Sequence, residues 1–305
     1  MRVLEQMTSK GKIKDCNKKT EIKKDCKNRK TGNFEISGSP KSDVRFFSCL
    51  DTQYQNLISE NMKHINHLST KSYFIDRTGK LSASFMFYQM QDIAWEHANI
   101  LGFGYDKLHK DQQFWVLSRL LVKINRRPRW AENFTLETWS RGTDGFYGYR
   151  DFNFVDSSGA IFAQATSSWL VLDAATKRIV RLSEFTDFPK YEESVFGENA
   201  GKVKAPQSET ELQFTPVLFN EIDINQHFNT GRYIERIIDS YDFDFHGQHE
   251  LAEYEINFLK EGLPADRLAV KKQKMDELNH ICCVVRETDG AELVRARLVW
   301  RKTDK

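Results

Sequence analysis

The sequence predicts an α+β protein built as two similar halves, and three observations lead to that reading. Between Leu81 and Leu101, the residues Met86, Met90, Ile93, Ala94, His97 and Leu101 recur at spacings of three and four, which marks one buried helix face. Four strand-like runs follow, at Phe114–Asn125, Phe134–Arg141, Tyr147–Val155 and Ile161–Leu172. Past residue 211 the same order, one helix and then four strands, comes a second time.

Ser72-Tyr73-Phe74-Ile75 reads as a short strand leading into the first helix. Gly102 and Gly104 close that helix, as glycines do just past a C-terminus. Gly142, Gly145 and the cluster Asp156-Ser157-Ser158-Gly159 supply turns between the strands. Residues 186–210 are charged and polar, include Pro189, Gly197, Gly201 and Pro206, and show little apolar periodicity, so they read as a linker. In the second half Leu212–Phe219 is a strand candidate. Asn229–Tyr241 is a helix, with Tyr233, Ile234, Ile237, Ile238 and Tyr241 on one stripe. Strands follow at Glu253–Leu259, Arg267–Lys274, Ile281–Glu287 and Leu293–Trp300, the last two joined by a turn at Asp289-Gly290. The expected organisation is a basic, disordered leader over 1–65, an N-terminal domain over 66–185, a linker over 186–210 and a C-terminal domain over 211–305.

A length of 305 residues suits two domains of roughly 150 residues each. Hydrophobic residues at 40% and charged residues at 29% fit a soluble globular chain. No run approaches the roughly 18 apolar residues of a membrane span, so no membrane partner is expected. Residues 1–45 hold 13 Lys and Arg against 6 Asp and Glu, so the basic excess sits in the leader and the remainder is mildly acidic. The leader has no apolar stretch of the kind a secretory signal needs. It reads as a segment without a folded role, or as an arm that binds something acidic. Cys16, Cys26 and Cys49 lie in the leader, and Cys282 and Cys283 are adjacent, which is not a disulfide framework. No C-x-x-C zinc spacing occurs, no metal or cofactor is expected, and the reducing cytoplasm is the expected compartment.

The chemistry points to one run, from Phe219 to Thr230. Asp223, Asn225 and His227 stand at i, i+2 and i+4, which in an extended segment places them on one side. The run leads into the second helix, with Asn229 as N-cap, and a helix N-terminus favours a developing oxyanion. Such a set suits acyl transfer to water. Asn donates without changing charge, His donates or accepts near neutral pH, and a carboxylate takes a proton or orients the His. The same residue types are also common in plain turns, where their side chains bond to backbone. The corresponding approach in the first half, Ile75-Asp76-Arg77-Thr78-Gly79-Lys80, holds no His or Asn, which favours a functional reading of the second.

Asp223-Ile224-Asn225-Gln226-His227-Phe228-Asn229, followed by Tyr233, resembles the D-x-N-x-H-V-N-N-x-x-Y signature of the acyl-ACP thioesterases of plants and bacteria. Phe114-Trp115-Val116-Leu117-Ser118-Arg119 is similar to that family's W-V-L-x-R strand. Arg127-Pro128-Arg129-Trp130 with Glu137-Thr138-Trp139, and Ser168-Trp169-Leu170-Val171 with Thr176-Lys177-Arg178, resemble further family segments in the family's order. The resemblance runs over roughly residues 70–302, and separated matches are more specific than one motif. It implies a tandem hotdog fold, two long helices each wrapped by a curved antiparallel sheet. It also implies release of free fatty acid from acyl carrier protein in fatty acid biosynthesis. On it, Asp223, Asn225 and His227 form the active-site trio, and the family's second-half Glu falls on Glu261. Plant members often have Cys after that Glu. Here the position is Gly262, so no cysteine nucleophile is available there. Direct attack by water is expected, with Glu261 as base or water-positioner, Asn225 and His227 polarising the carbonyl, and Asp223 orienting its neighbours. Asp223 as the base carboxylate, and His227 as base, are the other assignments. Phe228 stands where the family has Val, and Thr230 where it has a second Asn.

The first half is expected to form the acyl pocket, with Phe85, Tyr88, Met90, Ile93 and Trp95 on its helix as candidates for lining or for plain core. The expected partner, acyl carrier protein, is acidic, so a basic docking patch is expected. Candidates are Lys123, Arg126, Arg127 and Arg129, then Lys177, Arg178 and Arg181, then Lys271, Lys272 and Lys274. The chain would act as a monomer or homodimer, without nucleic acid. Rival functions are an acyl-CoA thioesterase, a hydroxyacyl dehydratase, and an acyl-sensing regulator that uses the basic leader on DNA.

Overall fold

The computed structural model describes residues 63–184, 190–207 and 212–303. The leader expected over 1–65 lies outside the described residues, except for its last three.

Those three already belong to strand β1, Lys63–Ser69, which the sequence reading did not anticipate. The first half continues with helix α1 (Ala83–Ile100), a short helix α2 (Tyr105–Lys110), strands β2 (Gln113–Ile124), β3 (Asn133–Thr143), β4 (Gly148–Asp156) and β5 (Ile161–Asp173), and a two-residue β6 (Ile179–Val180). The second half holds β7 (Thr215–Pro216), α3 (Thr230–Asp239), α4 (Phe243–Gln248), β8 (His249–Phe258), β9 (Arg267–Lys274), β10 (Asn279–Arg286) and β11 (Glu292–Lys302). Two expected strands are corrected. Ser72–Phe74 is a single 3-10 turn, and Leu212–Phe219 contracts to the two residues of β7.

All strand pairs are antiparallel, and the sheet order is β1-β3-β4-β5-β2-β8-β11-β10-β9-β7, with β6 on β5. Outward from the centre, each half has the same order. The halves meet where β2 pairs with β8, from Arg119 opposite Asn257 to Lys123 opposite Glu253. One bulge, at Ser118, interrupts the β2–β5 ladder, and a matching one at Ala252 interrupts β8–β11.

Each helix lies on the inner face of its half. Ser82 starts α1 by accepting the Phe85 amide at 3.2 Å, and Gly102, with φ of +81°, ends it. The stripe Met86, Met90 and Ile93 is buried against Leu120, Val122, Phe152 and Phe154. Asn229 caps α3, and Tyr233, Ile234 and Ile237 are buried with residues of β8, β10 and β11 in the same continuous core. The stretch read as a linker is more than a tether. The Val195 amide donates to the buried Asp151 carboxylate at 2.9 Å, Trp139 Nε1 donates to the Glu193 carbonyl at 2.9 Å, and Val203 donates to Asn257 Oδ1 at 2.8 Å. It therefore covers the outward-facing polar groups of the sheet.

Candidate active site

The run before α3 is a closed turn, not the extended segment its spacing suggested. Ile222 and Phe228 pair as an isolated antiparallel bridge. Inside it the Asp223 amide donates to the His227 carbonyl at 2.8 Å, and the Gln226 amide to the Asp223 carbonyl at 3.0 Å. Asp223 Oδ1 accepts the amides of Asn225 at 2.8 Å and His227 at 3.1 Å. Asp223 thus shapes the loop from within. Gln226 takes a left-handed φ of +63° to close it. Asn229 then caps α3 on the Gly231 amide at 2.9 Å.

The loop is fastened to the sheet by Phe228, whose amide donates to the Gly262 carbonyl at 2.8 Å. That contact sets the segment after β8 beside the loop, and it brings Glu261 Oε2 to 3.2 Å from His227 Nε2. Their side chains are 40% and 25% exposed, so the pair is open to solvent on one side. Asp223, Asn225, His227 and Glu261 all line one cleft of about 640 Å³. Its other walls are Gln91 of α1, Phe114, Trp115, Val116 and Leu117 of β2, Trp169 and Leu172 of β5, and the loop residues Lys177 and Lys260. Thr230, the first residue of α3, also stands in the wall. The site therefore draws on both halves.

A second cavity of about 370 Å³ extends beneath α1 and α2 in the first half. Trp95, Ala98, Phe103 and Leu108 supply apolar wall, and Asn225 reaches it from the loop. Of the proposed pocket residues on α1, only Trp95 lines it. Met90 and Ile93 are core, and Phe85 and Tyr88 pack against core. Arg150 is a buried cation in this wall that the sequence reading missed. Its Nη1 donates to His97 Nδ1 at 2.9 Å and to Thr138 Oγ1 at 3.1 Å, and burial brings its pKa down to about 10. Glu96 meets His64 at 3.2 Å and Asn66 at 2.7 Å, as a paired surface acid.

The first half contains the same loop. Ile75 and Leu81 form the bridge, the Asp76 amide donates to the Lys80 carbonyl at 2.9 Å, and the Gly79 amide to the Asp76 carbonyl at 3.0 Å. Asp76 Oδ1 accepts the Thr78 amide at 2.8 Å, and the Leu81 amide donates to the Pro128 carbonyl at 2.8 Å. Asp76, Thr78, Lys80 and Arg127 thus match Asp223, Asn225, His227 and Glu261. There the space is filled by ions. Glu250 Oε1 takes Lys80 Nζ at 3.2 Å and Arg127 Nε at 3.1 Å, its Oε2 takes Arg301 at 3.1 Å, and Arg127 also pairs with Asp76. Counting back from Pro128 and Gly262, Val116 occupies in the second site the place of Glu250 in the first, which leaves that site open.

Cys282 and Cys283 are fully buried free thiols on opposite faces of β10. Burial pushes their pKa values up, to about 11 and about 12. Neither lines the cleft. Among the described residues no group of His, Cys, Asp and Glu could hold a metal ion. Of the basic residues offered for docking, Arg126 and Arg127 are committed to carboxylates, and Lys272 donates to the Ser240 carbonyl. Lys177 and, unforeseen, Lys260 stand at the cleft, and no ion pair engages either among the described residues.

Residues 61–187 match the family model for the acyl-ACP thioesterase N-terminal domain, and residues 203–302 that for the C-terminal domain. The palmitoyl-acyl carrier protein thioesterase of Gossypium hirsutum is 27% identical over 274 residues, covering 80% of this chain and 65% of the relative. The chain therefore spans somewhat under two thirds of that relative's length. The oleoyl-acyl carrier protein thioesterase 1 of Arabidopsis thaliana is 24% identical over 247 residues, covering 74% and 68%. Both relatives are described as chloroplastic. Among solved structures, an acyl-ACP thioesterase from Bacteroides thetaiotaomicron superposes with a TM-score of 0.73 at 23% identity, over 79% of this chain and 99% of that one. A 12:0-ACP thioesterase from Umbellularia californica gives 0.70 at 19%, over 79% and 98%. The fold is thus the tandem hotdog.

Proposed function

The chain belongs to the acyl-ACP thioesterase family, and from that premise we propose that it hydrolyses the thioester of fatty acyl-acyl carrier protein, releasing free fatty acid and the carrier's thiol. The observation that supports this best is the His227–Glu261 pair at 3.2 Å, in a cleft lined also by Asp223 and Asn225. The acyl chain enters the cavity beneath α1, and the pantetheine arm lies along the cleft past Lys177 and Lys260. These two cations suit the arm's phosphate and the acidic carrier.

Water held by Glu261 attacks the carbonyl carbon. Its proton passes to Glu261, and the carbonyl electron pair moves onto an oxygen polarised by Asn225 and His227. Collapse of that intermediate breaks the C–S bond, and the sulfur leaves as thiol with the proton returned by the His227–Glu261 pair. A general base contributes about 10²–10⁴-fold and an oxyanion donor about 10²–10³-fold. Asp223 holds the loop and needs no direct part in proton transfer. The buried, protonated thiols of β10 are unsuited to nucleophilic attack.

The test is fatty acid release from a series of acyl carrier proteins of increasing chain length, with acyl-CoA beside them. Wild type should prefer the carrier protein, and His227→Ala and Glu261→Ala should each lose at least about 10²-fold in kcat. Equal or better turnover of acyl-CoA would move the reading to an acyl-CoA thioesterase. Inertness towards both carriers would leave the acyl-binding regulator.

A further inference from the structure

The cleft and the cavity meet at a few side chains. Gln91, Phe114, Trp115, Trp169 and Asn225 line both. If the chain lies in one space and the pantetheine arm in the other, as proposed above, the thioester passes beside these residues. The two indole N–H groups are already engaged, Trp115 Nε1 with the Phe103 carbonyl at 2.9 Å and Trp169 Nε1 with Ser167 Oγ at 2.8 Å. What remains at the junction is a pair of carboxamides, Asn225 from the second half and Gln91 from α1 in the first. No hydrogen bond engages the Gln91 side chain among the described residues. Met90 and Ile93, on the same stretch of the helix, are buried in the core and anchor it there.

We propose that Gln91 is a carbonyl-binding residue, donating its side-chain N–H to the thioester oxygen opposite Asn225, so that each half of the chain grips the oxygen with one amide. This rests on the thioesterase reading of the site. A carboxamide suits the task because it donates without offering a proton, so it stabilises the oxygen as negative charge builds and does not compete with the His227–Glu261 pair for the water's proton. As water adds, the C=O pair moves to oxygen and both N–H bonds strengthen. When the C–S bond breaks, the carbonyl re-forms and they weaken again. The first half then takes part in the chemistry as well as in holding the chain.

Gln91→Met keeps length and volume and removes the donor, and Gln91→Glu keeps the polar outline while replacing the donor by an acceptor. Steady-state kinetics on the same acyl carrier series should show kcat down by about 10²-fold in both, with KM changed less than about threefold and the preferred length unmoved. A second reading comes from the infrared carbonyl stretch of acyl carrier protein bound to the slow Glu261→Gln variant. It should rise in wavenumber when Gln91→Met is added. Either kcat within twofold of wild type or a shifted length preference with kcat intact would reduce Gln91 to a wall residue. If one variant fails to fold, judged by circular dichroism, the other decides. A wild type inert towards every thioester sinks both readings, whereas an active wild type with an unimpaired Gln91→Met sinks this one alone.

Discussion

Arg127 stands in the first half where Glu261 stands in the second, each one residue before the carbonyl, of Pro128 or Gly262, that fastens its loop to the sheet. Both loops are closed and fastened alike, so the exchange of a base for an acid, with Glu250 beside the one and Val116 beside the other, changes what fills the space next to the loop. Around Arg127, the acids Asp76 and Glu250 and the cations Lys80 and Arg301 close on one another.

Removing Glu250 should therefore damage the fold more than the chemistry. Arg127 and Glu250 are each 10% exposed, so Glu250→Ala leaves a buried guanidinium without one of its partners. The expected loss is ~3–5 kcal/mol in urea-induced unfolding. Burial opposes ionisation of Glu250, but Arg127, Arg301 and Lys80 outweigh it and hold the carboxyl below its usual range. Its contribution is present above the unfolded pKa and fades as pH falls through the folded one. Unfolding of Glu250→Gln should accordingly show a shallower acid limb than wild type.

Gly262 should not tolerate a cysteine. A Cβ there would lie 2.8 Å from Tyr233 Oη and 2.9 Å from Phe228 Cβ, both inside contact distance. Gly262→Cys is expected to lose ~1–3 kcal/mol, and to lower kcat by displacing the loop that holds His227. A variant with native melting temperature and raised activity would show that the loop repacks freely.

The two loops offer a controlled comparison of backbone cost. Gly79 has a φ of +74° where Gln226 has +63°. A side chain in that conformation costs roughly 1–2 kcal/mol, offset in part because glycine frees the unfolded chain. Gln226→Gly should raise the melting temperature slightly, with kcat within a few-fold of wild type. A fall in stability would mean the glutamine makes a contact that outweighs the strain.

His280 supplies a second pH dependence. Burial depresses its pKa, with help from Lys274, and its Nδ1 lies 2.9 Å from Tyr241 Oη in an aromatic cluster. The unfolded chain takes up the proton first on acidification, so stability should fall as pH drops below about 6.5 and on through the lower folded value. Replacement by Asn should remove that component of the pH profile, measured by denaturant midpoints between pH 5 and 8.

The sequence was most legible where apolar periodicity was long. The stripe from Met86 to His97 placed α1 within two residues at its start and one at its end. Strand β1 escaped because Lys63, His64, Asn66 and His67 carry little apolar signal, and its place is secured by main-chain pairing with β3. The spacing of Asp223, Asn225 and His227 points to residues that do share a cleft, but through the wrong geometry, an extended segment, and Glu261 is reached only through the family resemblance. Asp223, Asn225 and His227 share a cleft because a side chain closes a turn on its own backbone, which alternation along a strand does not describe. Gln91, Trp115 and Trp169 became visible as lining only once α1 and the sheet were seen to enclose a space with the distant loop. The matching of Arg127 with Glu261 likewise required both carbonyl contacts.

The β2–β8 seam gives the two halves a common fate. Leu120, Leu121 and Val122 pair directly with Ile256, Glu255 and Tyr254, so neither half of the sheet can be peeled away without breaking the ladder they share. Amide protons along this seam should exchange with deuterium only through global opening, with one shared opening free energy. On that outcome the two halves unfold as one unit, and a lesion in the half without the His–Glu pair is felt by the half that has it.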